Sequence, residues 1–245
     1  YIHEFGHLFG LDDYYDYSNS YTPAGGFIVG DQNVGAIDPY SEFSLGWAKA
    51  IIPTDNTIIN LKPYQDSHEL ILLTPAWNEY NSPFDEYLLL EFYTATGFNE
   101  MDVNHNYLNK GISGSYRSGI RLWHVDSRLV TFDGSDIITT NALRGGVHLL
   151  NSNSYGENEY ISILGLDYQY YNLLQLIRND KKATYTSSKF SQASDLFAQG
   201  DSFRMEDYQN QFYNIGKLNS GSVLPFSFEI NNLNEDECQI TIHKI

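Results

Sequence analysis

Two histidines four residues apart, His3 and His7, enclose a glutamate, Glu4, and are followed at fixed offsets by Gly10 and Asp13. On an α-helix, residues i and i+4 share a face, so both imidazoles can address one ion, at roughly 2.0–2.1 Å if it is zinc. Glu4 is offset from His3 by one residue, where its carboxylate can take a proton from a bound water without becoming a ligand. Gly10 stands where the helix should stop, and a glycine there can adopt the left-handed conformation that turns the chain back. Asp13 then arrives as the third ligand. Three protein ligands leave a fourth position open to water, which separates a catalytic zinc site from a closed structural one. Zinc lowers the pKa of such a water towards ~7, Glu4 acts as the base, and the hydroxide attacks a polarised carbonyl, so the chemistry implied is peptide-bond hydrolysis. The HExxH portion alone also occurs by accident on amphipathic helices; the glycine and aspartate at fixed offsets make accident much rarer. Two imidazoles and a carboxylate suit tetrahedral zinc better than other metals.

The elements that must hold these residues are legible in outline. The metal-binding helix runs to about Phe9, and the stretch from Asp12 to Gly26, rich in tyrosine and punctuated by Ser18, Asn19, Ser20, Pro23 and Gly25, reads as a loop. Asp38 followed by Pro39 is a helix start, giving a helix from Pro39 to about Leu45 closed by Gly46, with Tyr40, Phe43, Ser44 and Trp47 near one face. Its aromatics are expected in the core behind the site; Tyr40 could instead stabilise an oxyanion through its hydroxyl. After Pro53 the periodicity becomes strand-like: 57–61, 69–73, 87–93, 120–125, 160–164, 173–177, 226–230 and 239–242 are short apolar or alternating runs separated by turn residues. The fold class expected is α+β, with a short active-site helix and a second helix followed by a β-rich, sandwich-like region. Residues 1–52 form the carboxy-terminal part of a catalytic unit and residues 53–245 the β-rich part, packed against it or following it.

The residues His3-Glu4-Phe5-Gly6-His7-Leu8-Phe9-Gly10-Leu11-Asp12-Asp13-Tyr14-Tyr15-Asp16 resemble the immune inhibitor A type metalloproteases, the M6 peptidases of the wider metzincin group. The resemblance continues through Gly25-Gly26-Phe27, Asn33-Val34-Gly35 and Tyr40-Ser41-Glu42-Phe43-Ser44-Leu45-Gly46-Trp47, with weaker echoes at 86–91, 119–126 and 196–203. It implies a secreted bacterial endopeptidase acting on proteins or peptides, with His3, His7 and Asp13 matching the metal ligands and Glu4 the base. Metzincins carry a methionine turn beneath the metal, which would fall near Ile28-Val29-Gly30; this chain has methionine only at Met101 and Met205. Val29 could supply the apolar floor in its place. The strands that precede the helix in such enzymes lie upstream of the residues in hand. The competing reading is a binding or adhesion module descended from such a protease and no longer catalytic.

Several other polar residues invite a role. Asp12, Asp13 and Asp16 form an acidic cluster that could hold calcium, or Asp12 and Asp16 could be solvated or orient the ligands. Glu91, polar in an apolar run, is the alternative third ligand. His124 and Asp126, two apart on one strand face, could pair or hold a metal, and a hydrogen-bonded structural pair is the plainer reading. Asp102-Val103-Asn104-His105-Asn106 looks like the start of a calcium loop but lacks its glycine and closing glutamate. Arg144, Gly145, Gly146 and His148 fall in a loop with no assignable role.

Composition bounds the rest. At 245 residues and 42% hydrophobic content the chain can build a core. A net charge of −17 argues against nucleic acid or an anionic membrane as partner. The single cysteine, Cys238, excludes an internal disulfide, and no apolar run approaches the ~18 residues of a membrane span.

Overall fold

The computed structural model describes residues 2–78, 80–105, 115–133, 136–139, 148–154, 170–186 and 190–245. Few helices and several sheets make up the fold, and its described part is layered. One layer is a five-stranded sheet in the order β10-β6-β5-β4-β2, built from β2 (Lys49–Ile51), β4 (Glu69–Leu73), β5 (Glu86–Tyr93), β6 (Gly119–Asp126) and β10 (Leu174–Ile177). β2 and β4 run parallel, and the remaining neighbours are antiparallel. The second layer is an antiparallel four-stranded sheet of β12 (Ser202–Phe203), β13 (Phe226–Leu233), β14 (Cys238–Lys244) and β3 (Thr57–Leu61). Of the remaining strands, β1 (Tyr21–Thr22) pairs with β11 (Tyr185–Thr186), and β7 (Leu129–Asp133) with β8 (Asp136–Thr139) and β9 (His148–Leu149).

Alternation along β5 and β6 explains the layering. Leu88, Leu90 and Phe92 with Ile120 and Leu122 share one core with Leu61, Phe203, Phe228, Ile240 and Ile242 of the second sheet. The opposite parity, Tyr87, Leu89, Trp123 and Val125, packs against Tyr14, Ala24, Phe27, Ile28, Tyr40 and Tyr64. Both faces of the sheet are therefore covered, which is why β5 and β6 are buried along their whole length and read as nearly continuous apolar runs. Residues before β2 thus form a covering layer on this sheet and share its second core, while β2 itself, still ahead of Pro53, is an edge strand of the sheet.

The strands expected at 57–61, 69–73, 87–93, 120–125, 173–177, 226–230 and 239–242 are present with small shifts at their ends; 160–164 lies outside the described residues, as do Arg144, Gly145 and Gly146. The segment 12–26, expected as loop, contains the two-residue β1. Helix α2 (Pro39–Ser44) starts as expected, with the Asp38 carboxylate accepting from Ser41 N at 2.7 Å. Tyr40 is buried in the core. Trp47 departs from expectation: Gly46 takes φ 76° and turns the chain outward, leaving Trp47 half exposed against Phe9 rather than in the core. Glu42 fastens α2 to the following helix α3 (Tyr64–Ser67), accepting from Tyr64 Oη at 2.7 Å and pairing with His68 Nδ1 at 2.8 Å. Asp102 is not in a calcium loop: it lies in helix α4 (Asn99–Asn104) and accepts from Val34 N and Gly35 N at 3.0 and 3.1 Å. No helix among the described residues is long and apolar enough to cross a membrane.

Candidate metal centre

The motif begins on the short helix α1 (Ile2–Gly6), continues through one 3-10 turn at His7–Phe9, and stops at Gly10 with φ 80°. The extent matches the sequence expectation, but the last turn is tightened, as free helix ends often are. Gly10 N donates back to His7 O at 3.0 Å, and the turn brings the Leu11 carbonyl under the His7 ring, where it meets Nδ1 at 2.8 Å. His3 is held in the same way: its Nδ1 lies 2.8 Å from the Val29 carbonyl. A carbonyl oxygen can only accept, so each Nδ1 must carry a proton, and in the neutral form each ring then presents the bare lone pair of Nε2.

Both lone pairs face a carboxylate. Asp13 Oδ1 is 2.9 Å from His3 Nε2 and 3.5 Å from His7 Nε2, and the three ligand atoms lie within 4.8 Å of one another. Asp13 Oδ1 is buried, and with both imidazoles neutral it has no hydrogen-bond donor. With both rings neutral, three acceptors converge on one point; a divalent cation satisfies them, as a proton on an imidazole does in its absence, so the residues present fit a metal. His3, His7 and Asp13 could hold a metal ion, and they are the one such group of histidine, cysteine and acidic residues among the described residues.

Tyr17 completes the carboxylate by donating its hydroxyl to Asp13 Oδ2, and this bond, with burial adding to it, raises the Tyr17 pKa well above the ordinary phenol value. Tyr15 lies with its ring 6.1 Å from that of His3; burial, then the charge of Asp13, raises its pKa. His7 titrates higher than an ordinary histidine, first because of the Leu11 carbonyl and, against a smaller loss from burial, because of the charges of Asp13, Glu4 and Asp12. Glu4 is solvent-exposed, on the helix next to His3.

Asp13 is placed by its neighbour. Tyr14 N donates to Gly30 O at 2.7 Å, its carbonyl accepts from Asn153 Nδ2 at 2.9 Å, and its hydroxyl is 2.8 Å from Ser41 Oγ on α2. A Cβ on Gly30 would come within 2.5 Å of the Tyr14 ring, so only glycine lets the 27–30 segment lie this close. That segment carries the Val29 carbonyl, and Val29 lines a small cavity together with His3, His7, Gly30, Asp38 and Ser41.

The other candidates lie elsewhere. Glu91 is not a ligand, because it is paired with Arg121 on β6 and accepts from Trp123 Nε1 at 3.3 Å. Asp16 closes its own loop, accepting from Ser18 N, Ser20 N and Tyr21 N at 2.9–3.2 Å and from Ser18 Oγ at 2.6 Å, and Asp12 Oδ1 accepts from Asp13 N, so Asp12, Asp13 and Asp16 do not converge as a calcium site. His124 and Asp126 share a face but choose different partners: His124 Nε2 is 2.9 Å from Glu86, while Asp126 takes two hydrogen bonds from Arg128 at 2.6 and 2.7 Å. This is a buried structural network rather than a second metal site. What sequence reasoning missed are the Leu11 and Val29 carbonyls and Tyr17; of these only Tyr17, four residues beyond Asp13, left a side-chain trace.

Two imidazole nitrogens and one carboxylate on a tight helix-turn unit thus form a group that could hold a metal ion. The chain matches no protein-family model, no curated protein and no solved structure.

Proposed function

We propose that the chain is the metal-binding part of a zinc endopeptidase of immune inhibitor A type, metzincin-like in fold and exported from a bacterial cell. The observation that carries this reading is the convergence of His3 Nε2, His7 Nε2 and the buried Asp13 Oδ1, with a glutamate directly after the first histidine. Zinc bound there would supply a Lewis acid for a peptide carbonyl and acidify a water nucleophile. The chain's own residues do the rest. Leu11 and Val29 fix the imidazole tautomers through Nδ1, and Tyr17 holds the far oxygen of Asp13, so that the near one faces the histidines. Glu4, exposed beside His3, accepts the proton of the attacking water and delivers it to the leaving amine.

The test is Glu4→Ala with zinc content and casein cleavage measured together. Stoichiometric zinc with cleavage lowered ~100–10,000-fold is the expected outcome for loss of a general base. Unchanged cleavage would remove Glu4 from the mechanism, and a parent protein holding no zinc would sink the reading as a whole.

A further inference from the structure

A fully buried ion pair lies between the metal-bearing layer and the central sheet. Arg121 on β6 and Glu91 on β5 are cross-strand partners, each 1% exposed, and Arg121 Nε contacts Glu91 Oε1. The guanidinium carbon sits 4.4 Å from the Tyr93 ring centre, 5.0 Å from Phe27 and 5.7 Å from Trp123. Its Nη1 donates to the Phe27 carbonyl at 3.3 Å. Phe27 stands two residues before Val29, whose carbonyl orients His3.

Stability is a weak account of this pair. Desolvating two charges offsets most of their attraction, and apolar replacements of similar volume are commonly as stable or more so. Glu91 Oε2 is buried with no hydrogen-bond partner, a further cost. What an apolar pair lacks is a planar donor, gripped by three rings and a carboxylate, that fixes one backbone carbonyl in place.

We propose that Arg121, held by Glu91, is a positioning residue for the metal centre: it anchors Phe27 so that the Val29 carbonyl meets His3 Nδ1 and keeps Nε2 turned to the ion. This rests on the metal-centre reading given above. Arg121 acts from the opposite side of the 27–29 segment and touches neither ligand nor substrate.

The experiment compares the parent protein with Arg121→Lys and with the Glu91→Leu/Arg121→Met double variant. Zinc affinity is measured by competition with a chromophoric chelator, thermal unfolding on the metal-free proteins, and the His3 Nδ1 resonance by nitrogen NMR. The metal-free double variant is expected to unfold within a few degrees of the parent while its zinc affinity falls ~10–100-fold, the cost typical of losing an outer partner of a metal ligand. Arg121→Lys keeps the charge but not the planar fork, and its affinity is expected to lie between the two. Affinity within about twofold of the parent in a folded variant overturns the proposal, because outer partners that orient a ligand cost more than that. Should the double variant not fold, Arg121→Lys decides. If the parent binds no zinc at His3, His7 and Asp13, the metal reading itself has failed; the positioning claim is then read from the His3 Nδ1 signal alone. A change in Arg121→Lys upholds it and no change refutes it.

Discussion

With neutral rings, each of His3, His7 and Asp13 turns a lone pair toward the same point, an arrangement that an ion would satisfy. Asp13→Asn tests this at the level of single atoms. The amide keeps the size of the carboxylate, but its Nδ2 can rotate inward and donate to the imidazoles, satisfying them with no metal present. Zinc affinity is therefore expected to fall by more than the ~10–100-fold that an outer partner costs, with far-UV circular dichroism unchanged. A variant that bound zinc as tightly as the parent would show that another residue completes the site. The three candidate ligands were legible in the sequence because two imidazoles at helical spacing, with a carboxylate following a glycine turn, carry a signature. The two carbonyls that fix the rings were not, since every residue has one and only the turn at Gly10 and the close packing at Gly30 bring these two within reach.

Those two glycines act through the elements they join. Gly10 needs its left-handed φ of 80°, whereas Gly30 needs space: its Cβ would strike the buried Tyr14 ring at 2.5 Å. Gly30→Ala is expected to destabilise the protein by roughly 1–3 kcal/mol, as overpacking does, and to loosen Asp13 through Tyr14; urea midpoints of the metal-free proteins measure the first effect. Helix α2 makes a separate prediction through its cap. Burial pushes the Asp38 carboxyl up to about 6, against the hydrogen bonds it receives from Ser41. The folded-state pKa thus lies above the ordinary aspartate value of ~3.9, so folding favours the protonated form; that contribution is complete below pH ~4 and is lost as pH rises through about 6. Asp38→Asn is an equally good cap without a charge. It is expected to raise stability by ~1–3 kcal/mol at pH 7, an upper range set by a shift of about two units, and to flatten the slope between pH 4 and 6 in metal-free protein. A parallel pH profile in the variant would mean that another group titrates there. Strands were legible as elements because both faces of the central sheet are covered and its residues read apolar. Their pairing was not: nothing local says that β2 runs parallel to β4, or that Glu91 meets Arg121, thirty positions further on. A second charge inside an apolar run, Arg121, was the available clue.

At the scale of the whole molecule, the candidate metal site belongs to a layer laid across one face of a sheet whose other face packs on a second sheet. Tyr14, Phe27 and Ile28 enter that shared core within a few residues of Asp13 and Val29, so the ligand loop cannot reorganise without disturbing the packing beneath it. An ion that draws the ligand loop, α1 and the Val29 segment together therefore favours the folded state of the layer. If zinc binds the native state alone, an excess of 100 Kd stabilises it by about 2.7 kcal/mol. For a domain of this size each kcal/mol raises Tm by roughly 2–4 °C, so zinc is expected to lift Tm by ~5–11 °C and a chelator to reverse the gain. The shift should be absent from a His3→Ala/His7→Ala variant, whose core residues are untouched. An equal shift in that variant would locate the ion elsewhere in the molecule. A rise confined to a separate early transition would show that the ligand layer unfolds independently of the two sheets, contrary to the continuous packing from Tyr14 and Phe27 to Trp123.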